Sequence, residues 1–372
     1  MVFRSSLFKY YWSAIIIILP FYIRNIPLDT RVQRDMLFLF VSLFSLVLFD
    51  NFVHNIWFAF CGLFFVNSFF GMSVLMTSTS FFQTINLLCS MALVSQFAFQ
   101  WNEKTSRWLA NAFCVAGLLQ VGWIACHYFN IEPSTLLFGI KRKVIFYRGS
   151  NQWPIEGSLD ASMVTACYLA AIFPFYLRRW WIVGVIPLIV SLYLLGSAMG
   201  FLGVCCVLIY LFFDRVIKWN IQYLIASIVL LSTALVSVLK IAPSFTDSQA
   251  RYTAWGEIIK WSGLTWFGKG IAQYHDIGYK SVHSIPRMLH PHNEYLAIYV
   301  NWGAFGIILV LIPLWWLFKS REKEIIYSCA IIATLGTSFG AFPLHISSTA
   351  LIVIIAMGAL LSDKIKSKGV CI

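Results

Sequence analysis

The stretch Trp180–Phe213, WWIVGVIPLIVSLYLLGSAMGFLGVCCVLIYLFF, decides the fold. It runs 34 residues without a charged side chain, between Arg178-Arg179 and Asp214-Arg215. At a rise of about 1.5 Å per residue one straight helix of that length would measure about 50 Å. The hydrocarbon core of a bilayer is only about 30 Å thick. The stretch therefore predicts two spans, and Gly196-Ser197-Ala198-Met199-Gly200 is the natural place to divide them. Both ends of this hairpin then carry basic residues on one side, as cytoplasmic loops do.

Extending the same criterion outward gives candidate spans at about 10–26, 36–53, 55–72, 81–100, 108–129, 161–177, 180–196, 199–213, 221–243, 295–318, 325–343 and 347–362. The expected fold class is an all-α integral membrane protein with about twelve transmembrane helices. Composition excludes a soluble chain: hydrophobic residues make up 60% and charged residues 11%, whereas a soluble domain carries about 25% charged residues. Arg4 and Lys9 precede an apolar run, but no small-x-small cleavage site follows, so the segment reads as an uncleaved first span. Eight of the nine cysteines sit in apolar runs and Cys371 in the tail. With no CxxC, neither a disulfide framework nor a thiolate zinc site is indicated, and the thiols read as packing groups.

Lys and Arg in the short loops set the orientation. Lys364, Lys366 and Lys368; Lys319, Arg321 and Lys323; Arg215 and Lys218; Arg178 and Arg179; Lys104 and Arg107; and Arg4 and Lys9 all fall on one side. These are fourteen of the 27 basic residues, and they place both termini in the cytoplasm. Arg24, Arg31 and Arg34 break the rule in the first hairpin. The chain divides into N-terminal spans (1–129), a first periplasmic loop (130–160), central spans (161–243), a large periplasmic loop between the ninth and tenth spans (244–294), and C-terminal spans with a cytoplasmic tail (295–372). The net charge of +12 thus largely records topology. No nucleic-acid motif and no internal repeat are present.

Both long loops exceed the usual connection length, which makes them candidates for function. The end of the second is the densest polar cluster: His275, Asp276, His283, Arg287, His290, His292, Asn293 and Glu294, with four of the seven histidines within 18 positions. Histidine is the side chain best suited to a general base near neutrality. A solvated interfacial loop would carry the same residues. A metal site could draw on His290, His292 and Asp276 or His283, but the helical i,i+4 spacing of zinc proteases is absent. Pro291 keeps His290 extended. Asn293 suits the N-cap of the following helix, with Glu294 in its first turn. His292 is then held at the mouth of a span, at the membrane surface.

His292-Asn293, nine residues, Gly303, two residues, Gly306 resembles the H-N-x9-G-x-x-G pattern of bacterial O-antigen ligases. The string His290-Pro291-His292-Asn293-Glu294-Tyr295-Leu296 is similar to the H-x-H-N-x-x-L signature shared with O-antigen polymerases and O-linked protein oligosaccharyltransferases. Arg251 with Trp255, then Trp266-Phe267-Gly268-Lys269-Gly270, resembles the family's R-x-x-x-W and P-L-F-G-x-G stretch. Arg148-Gly149 and the segment from Asp160 to Pro174 resemble its first-loop pattern. The chain departs at Ala198-Met199-Gly200, where the family often has Ser-Arg-Gly with an arginine thought to bind substrate phosphate.

The resemblance implies transfer of a glycan from undecaprenyl or another polyprenyl diphosphate to an acceptor hydroxyl, on the periplasmic face of the bacterial inner membrane, without a metal or other cofactor. The acceptor would be lipid A core for a ligase, or a second lipid-linked glycan for a polymerase. The leaving diphosphate needs a fixed cation, a role for Arg251. The acceptor hydroxyl needs a base, a role for His292. Arg148 is a candidate second phosphate contact; His290, Asn293, Trp255 and Arg287 are candidate substrate-binding residues. A twelve-span transporter or flippase is the rival from another class. Ion-driven transport usually places ionisable groups mid-membrane, and these spans have almost none.

Overall fold

The computed structural model describes residues 2–21, 30–49, 78–138, 155, 158–159, 162–178, 181–216, 248–270, 292–318, 325–341 and 343–367. Among the described residues every regular element is helical. The α-helices are α1 (Val2–Ile18), α2 (Thr30–Leu48), α3 (Ser78–Gln100), α4 (Glu103–Tyr128), α5 (Pro133–Phe138), α6 (Ser162–Tyr176), α7 (Val185–Leu194), α8 (Ala198–Val216), α9 (Ser248–Ser262), α10 (Glu294–Phe318), α11 (Ile325–Thr337) and α12 (Ser347–Ser367). Short 3-10 turns occupy Leu19–Phe21, Ile182–Gly184 and Pro343–His345. The expected spans at 55–72 and 221–243 lie outside the described residues; the others fall on helices.

The hairpin of Trp180–Phe213 divides where its small residues cluster. α7 ends at Leu194, Gly196 takes a left-handed φ of +61°, and α8 begins at Ala198. α4 and the Glu294–Leu311 part of α10 are long and apolar enough to cross a bilayer alone. The other apolar helices, α6 and α11 among them, carry 10–17 such residues. Several boundaries differ from expectation: α1 starts at Val2 rather than residue 10, α2 at Thr30 rather than 36 and α4 at Glu103 rather than 108, α12 runs to Ser367 rather than 362, and α11 stops at Thr337 because Ser338–Gly340 forms a turn.

α6 is the centre of the bundle. Its residues Val164 to Tyr176 are all buried, as expected for a helix that is apolar all round. α4, α7, α8 and α11 pack around it. α8 and α11 approach closely through small residues: a Cβ on Gly203 would lie 2.9 Å from the Ala333 carbonyl oxygen. Such small-residue contacts drive helix association where lipid removes the hydrophobic drive. Buried polar side chains add specific bonds. Trp12 donates to the Ser45 hydroxyl at 3.1 Å, and that hydroxyl donates to Gln96 at 2.7 Å, joining α1, α2 and α3.

Two corners that the Lys/Arg count assigns to one side meet. There the Tyr327 hydroxyl donates to the Ser106 carbonyl at 2.9 Å, and its ring meets Trp101 at 4.9 Å. Elsewhere Ser158 donates to the Pro20 carbonyl at 2.7 Å and its amide donates to Gln120 at 3.2 Å. Arg34 donates to the Ser158 carbonyl and is only 4% exposed. One of the three arginines that break the charge rule is therefore a buried structural donor, which a rule about solvated loop charges does not count.

Candidate active site

Asn293 builds the head of α10. Its side-chain oxygen accepts the Leu296 amide at 3.0 Å and its carbonyl accepts the Ala297 amide at 2.9 Å, an N-cap as its residue type anticipates. Its side-chain amide then donates to the Phe339 carbonyl at 3.1 Å. Glu294 does more than complement the helix end. It is buried, its amide donates to the Ser338 carbonyl at 3.0 Å, and its carboxylate accepts the Leu344 amide at 2.7 Å. Tyr295 donates to the Leu335 carbonyl at 2.8 Å and packs its ring on Phe339. Three consecutive residues thus fasten α10 to the turn between α11 and α12.

His292 precedes this cap, half-buried, with φ at +50°. Non-glycine residues seldom occupy that left-handed region. The backbone therefore turns sharply at His292 and enters the helix at Asn293. Met199, at the departure from the family pattern, lies beside the same turn: a Cβ on Gly340 would come within 2.5 Å of its sulfur. The position that the resemblance would fill with arginine thus borders the turn that holds Asn293 and Glu294, and an apolar thioether occupies it.

α9 brings the second candidate to α10. Ile258 of α9 packs with Leu296 and Val300 of α10, and Trp255, Trp261 and Tyr299 surround this small core. Trp255 is half-buried there. Arg251 lies one turn before Trp255, in the first turn of α9; its side chain lies outside the described residues, as do Arg148, Arg287 and His290. Tyr299 anchors the end of α9, donating to the Gly263 carbonyl at 2.8 Å and accepting the Thr265 amide at 3.3 Å.

The segment after α9 repairs a break in α10. Gly303 has φ +67° and ψ −164°, which interrupts the helix. The Val300 and Asn301 carbonyls accept instead from the Lys269 and Gly270 amides, at 2.7 and 3.2 Å. The Ala304 and Phe305 amides donate to the Thr265 and Trp266 carbonyls, at 3.1 and 3.0 Å. Backbone runs against backbone: a Cβ on Gly268 would lie 2.5 Å from the Asn301 carbonyl carbon, and one on Gly303 would lie 2.4 Å from Trp266. The two glycines therefore require each other. The Ser338–Gly340 turn was not singled out in the sequence, and neither the burial of Glu294 nor the pairing of Gly268 with Gly303 was read there. A buried acid and paired glycines leave no local signature beyond their residue types.

Residues 183–311 match the family model described as O-antigen ligase. Over this segment the chain is similar to the O-antigen ligase family. The matched residues run from the hairpin before α8 through α9 and the His292–Asn293 cap to Leu311 of α10, so they contain Met199, Arg251 and both clasp glycines. Members of the O-antigen ligase family are membrane proteins of ligase or polymerase type that act on lipid-linked glycans. No curated protein matches the chain.

Proposed function

We propose that this protein is a member of the O-antigen ligase family and moves a glycan from a polyprenyl diphosphate, undecaprenyl in bacteria, to a hydroxyl of lipid A core at the periplasmic face of the inner membrane. The observation that carries the proposal is the family match over the segment that seats His292 at the cap of α10 and Arg251 on α9, both fastened to α10. His292 takes the proton of the acceptor hydroxyl as its oxygen attacks the anomeric carbon. The bond from that carbon to the diphosphate oxygen breaks, and Arg251 meets the charge that develops on the leaving group. Arg148 and Arg287 add cationic contacts to the donor; His290, Asn293 and Trp255 line the path of donor and acceptor. With Met199 in place of the family arginine, the second cation comes from the loops. In a twelve-span topology with both termini cytoplasmic, these groups lie on the side where exported lipid-linked glycans arrive.

The test is transfer in vitro from a lipid-linked glycan, with lipid A core and a second lipid-linked repeat as competing acceptors. Product on core supports the ligase reading. Product only on the second repeat makes the protein a polymerase, and no product on either refutes transfer. His292→Ala and Arg251→Ala should each lower the rate at least about a hundredfold while the protein still inserts in the membrane. Wild-type rates in either variant would overturn the assigned roles.

A further inference from the structure

The corner after α4 is built inside out. α4 ends in a Schellman motif: the Asn130 amide donates to the His127 carbonyl at 3.0 Å and the Ile131 amide to the Cys126 carbonyl at 2.8 Å, with Asn130 at φ +60°. The chain turns there into the short helix α5. Its ionisable side chains face inward, while Asn130 and Thr135 are exposed. His127 and Glu132 are both buried, with Nε2 and Oε2 3.1 Å apart, and the Glu132 carboxylate also accepts the Ser134 hydroxyl at 2.6 Å. Its apolar side chains face outward: Tyr128 is 55% exposed, Phe129 70%, Leu136 77% and Leu137 64%. In water that arrangement would be upside down, since a solvated corner turns its carboxylate out and its leucines in.

Two further observations say what surrounds it. The exposed apolar surface continues from α4 itself, where Val115, Leu118 and Leu119 also face outward. From Arg107 to Tyr128 α4 covers about 30 Å at 1.5 Å per residue, one hydrocarbon thickness. The corner therefore begins where the span reaches the interface. We propose that Tyr128–Leu137 lies in the plane of the membrane, its leucines and aromatic rings immersed among lipid acyl chains, with the His127–Glu132–Ser134 cluster closing its polar side against the protein. The first long loop then leaves from within the leaflet, at a fixed height, rather than from the tip of a helix standing in water.

Nitroxide labelling of Leu137→Cys and, separately, Leu136→Cys tests this in phosphatidylethanolamine–phosphatidylglycerol vesicles. The unsubstituted chain, labelled in parallel, gives the background from its own nine cysteines. Collisions with oxygen, which concentrates in lipid, and with a water-soluble nickel chelate are then compared with those at Lys260→Cys, whose parent side chain is 76% exposed on polar α9. Both corner sites should favour oxygen over nickel several-fold more than position 260 does. Nickel reaching them as well as it reaches position 260 would overturn the proposal. So would collisions with neither reagent, which would mean that protein, such as a second copy of the chain, covers the corner.

Discussion

His292 holds a left-handed backbone that costs an ordinary residue about 1–2 kcal/mol, and that asparagine tolerates better. A histidine kept in that conformation is expected to be there for its imidazole. His292→Asn should leave the thermal midpoint of the purified protein within a few degrees of the parent and still abolish glycan transfer. A coupled loss of both would mean that the ring serves packing. Glu132 carries a different expectation. Burial alone would raise its pKa, but hydrogen bonds from His127 and Ser134 hold the carboxyl down to about 2, below its ordinary 4.5. Its contribution to stability is therefore complete above about pH 5 and is lost as pH falls toward 2. Glu132→Gln should cost about 3–5 kcal/mol at neutral pH and should flatten the fall in unfolding temperature between about pH 5 and pH 3. Asn293 was legible as a cap from its type and position. The burial of Glu294 was not, because its partners Ser338 and Leu344 lie more than forty positions away.

Among the elements, α10 shows why a spacing can be recognised before it is understood. His292-Asn293, nine residues, Gly303 reads in the sequence as a pattern; in the structure those residues are the head of a helix and the point where it opens to accept another strand of backbone. The ψ of Gly303 lies in a region available to glycine almost alone. Gly303→Ala is expected to destabilise the protein by more than about 3 kcal/mol. Gly268→Ala should act similarly, since its Cβ would strike main chain that cannot rotate away. Limited proteolysis of the large loop measures both: faster cleavage than in the parent is the expected result, and unchanged cleavage would deny that the contact holds the loop. The positions of the described apolar helices were readable because helices in lipid must be long and apolar. α9 was not, since it is short, polar and stabilised by Leu296 and Val300 of another element.

For the whole molecule, the corner at Trp101–Ser106 meets the start of α11, whose loop shares its charge class, and the side that this end faces is open to direct measurement. Alkaline phosphatase fused after Gly270 should be active, because it folds only when exported. Fusions after Arg178 and after Ser367 should be inactive. The reverse pattern would invert the orientation and with it the periplasmic assignment. The likeness to the O-antigen ligase family was legible in the sequence through a few residues of one loop and one helix. The paired glycines carry one more consequence, for how such proteins diversify. Loop and helix share four main-chain bonds across Gly268 and Gly303, so neither can be exchanged alone. A chimera that borrows the large loop of a relative should work only if it inherits the following helix with it.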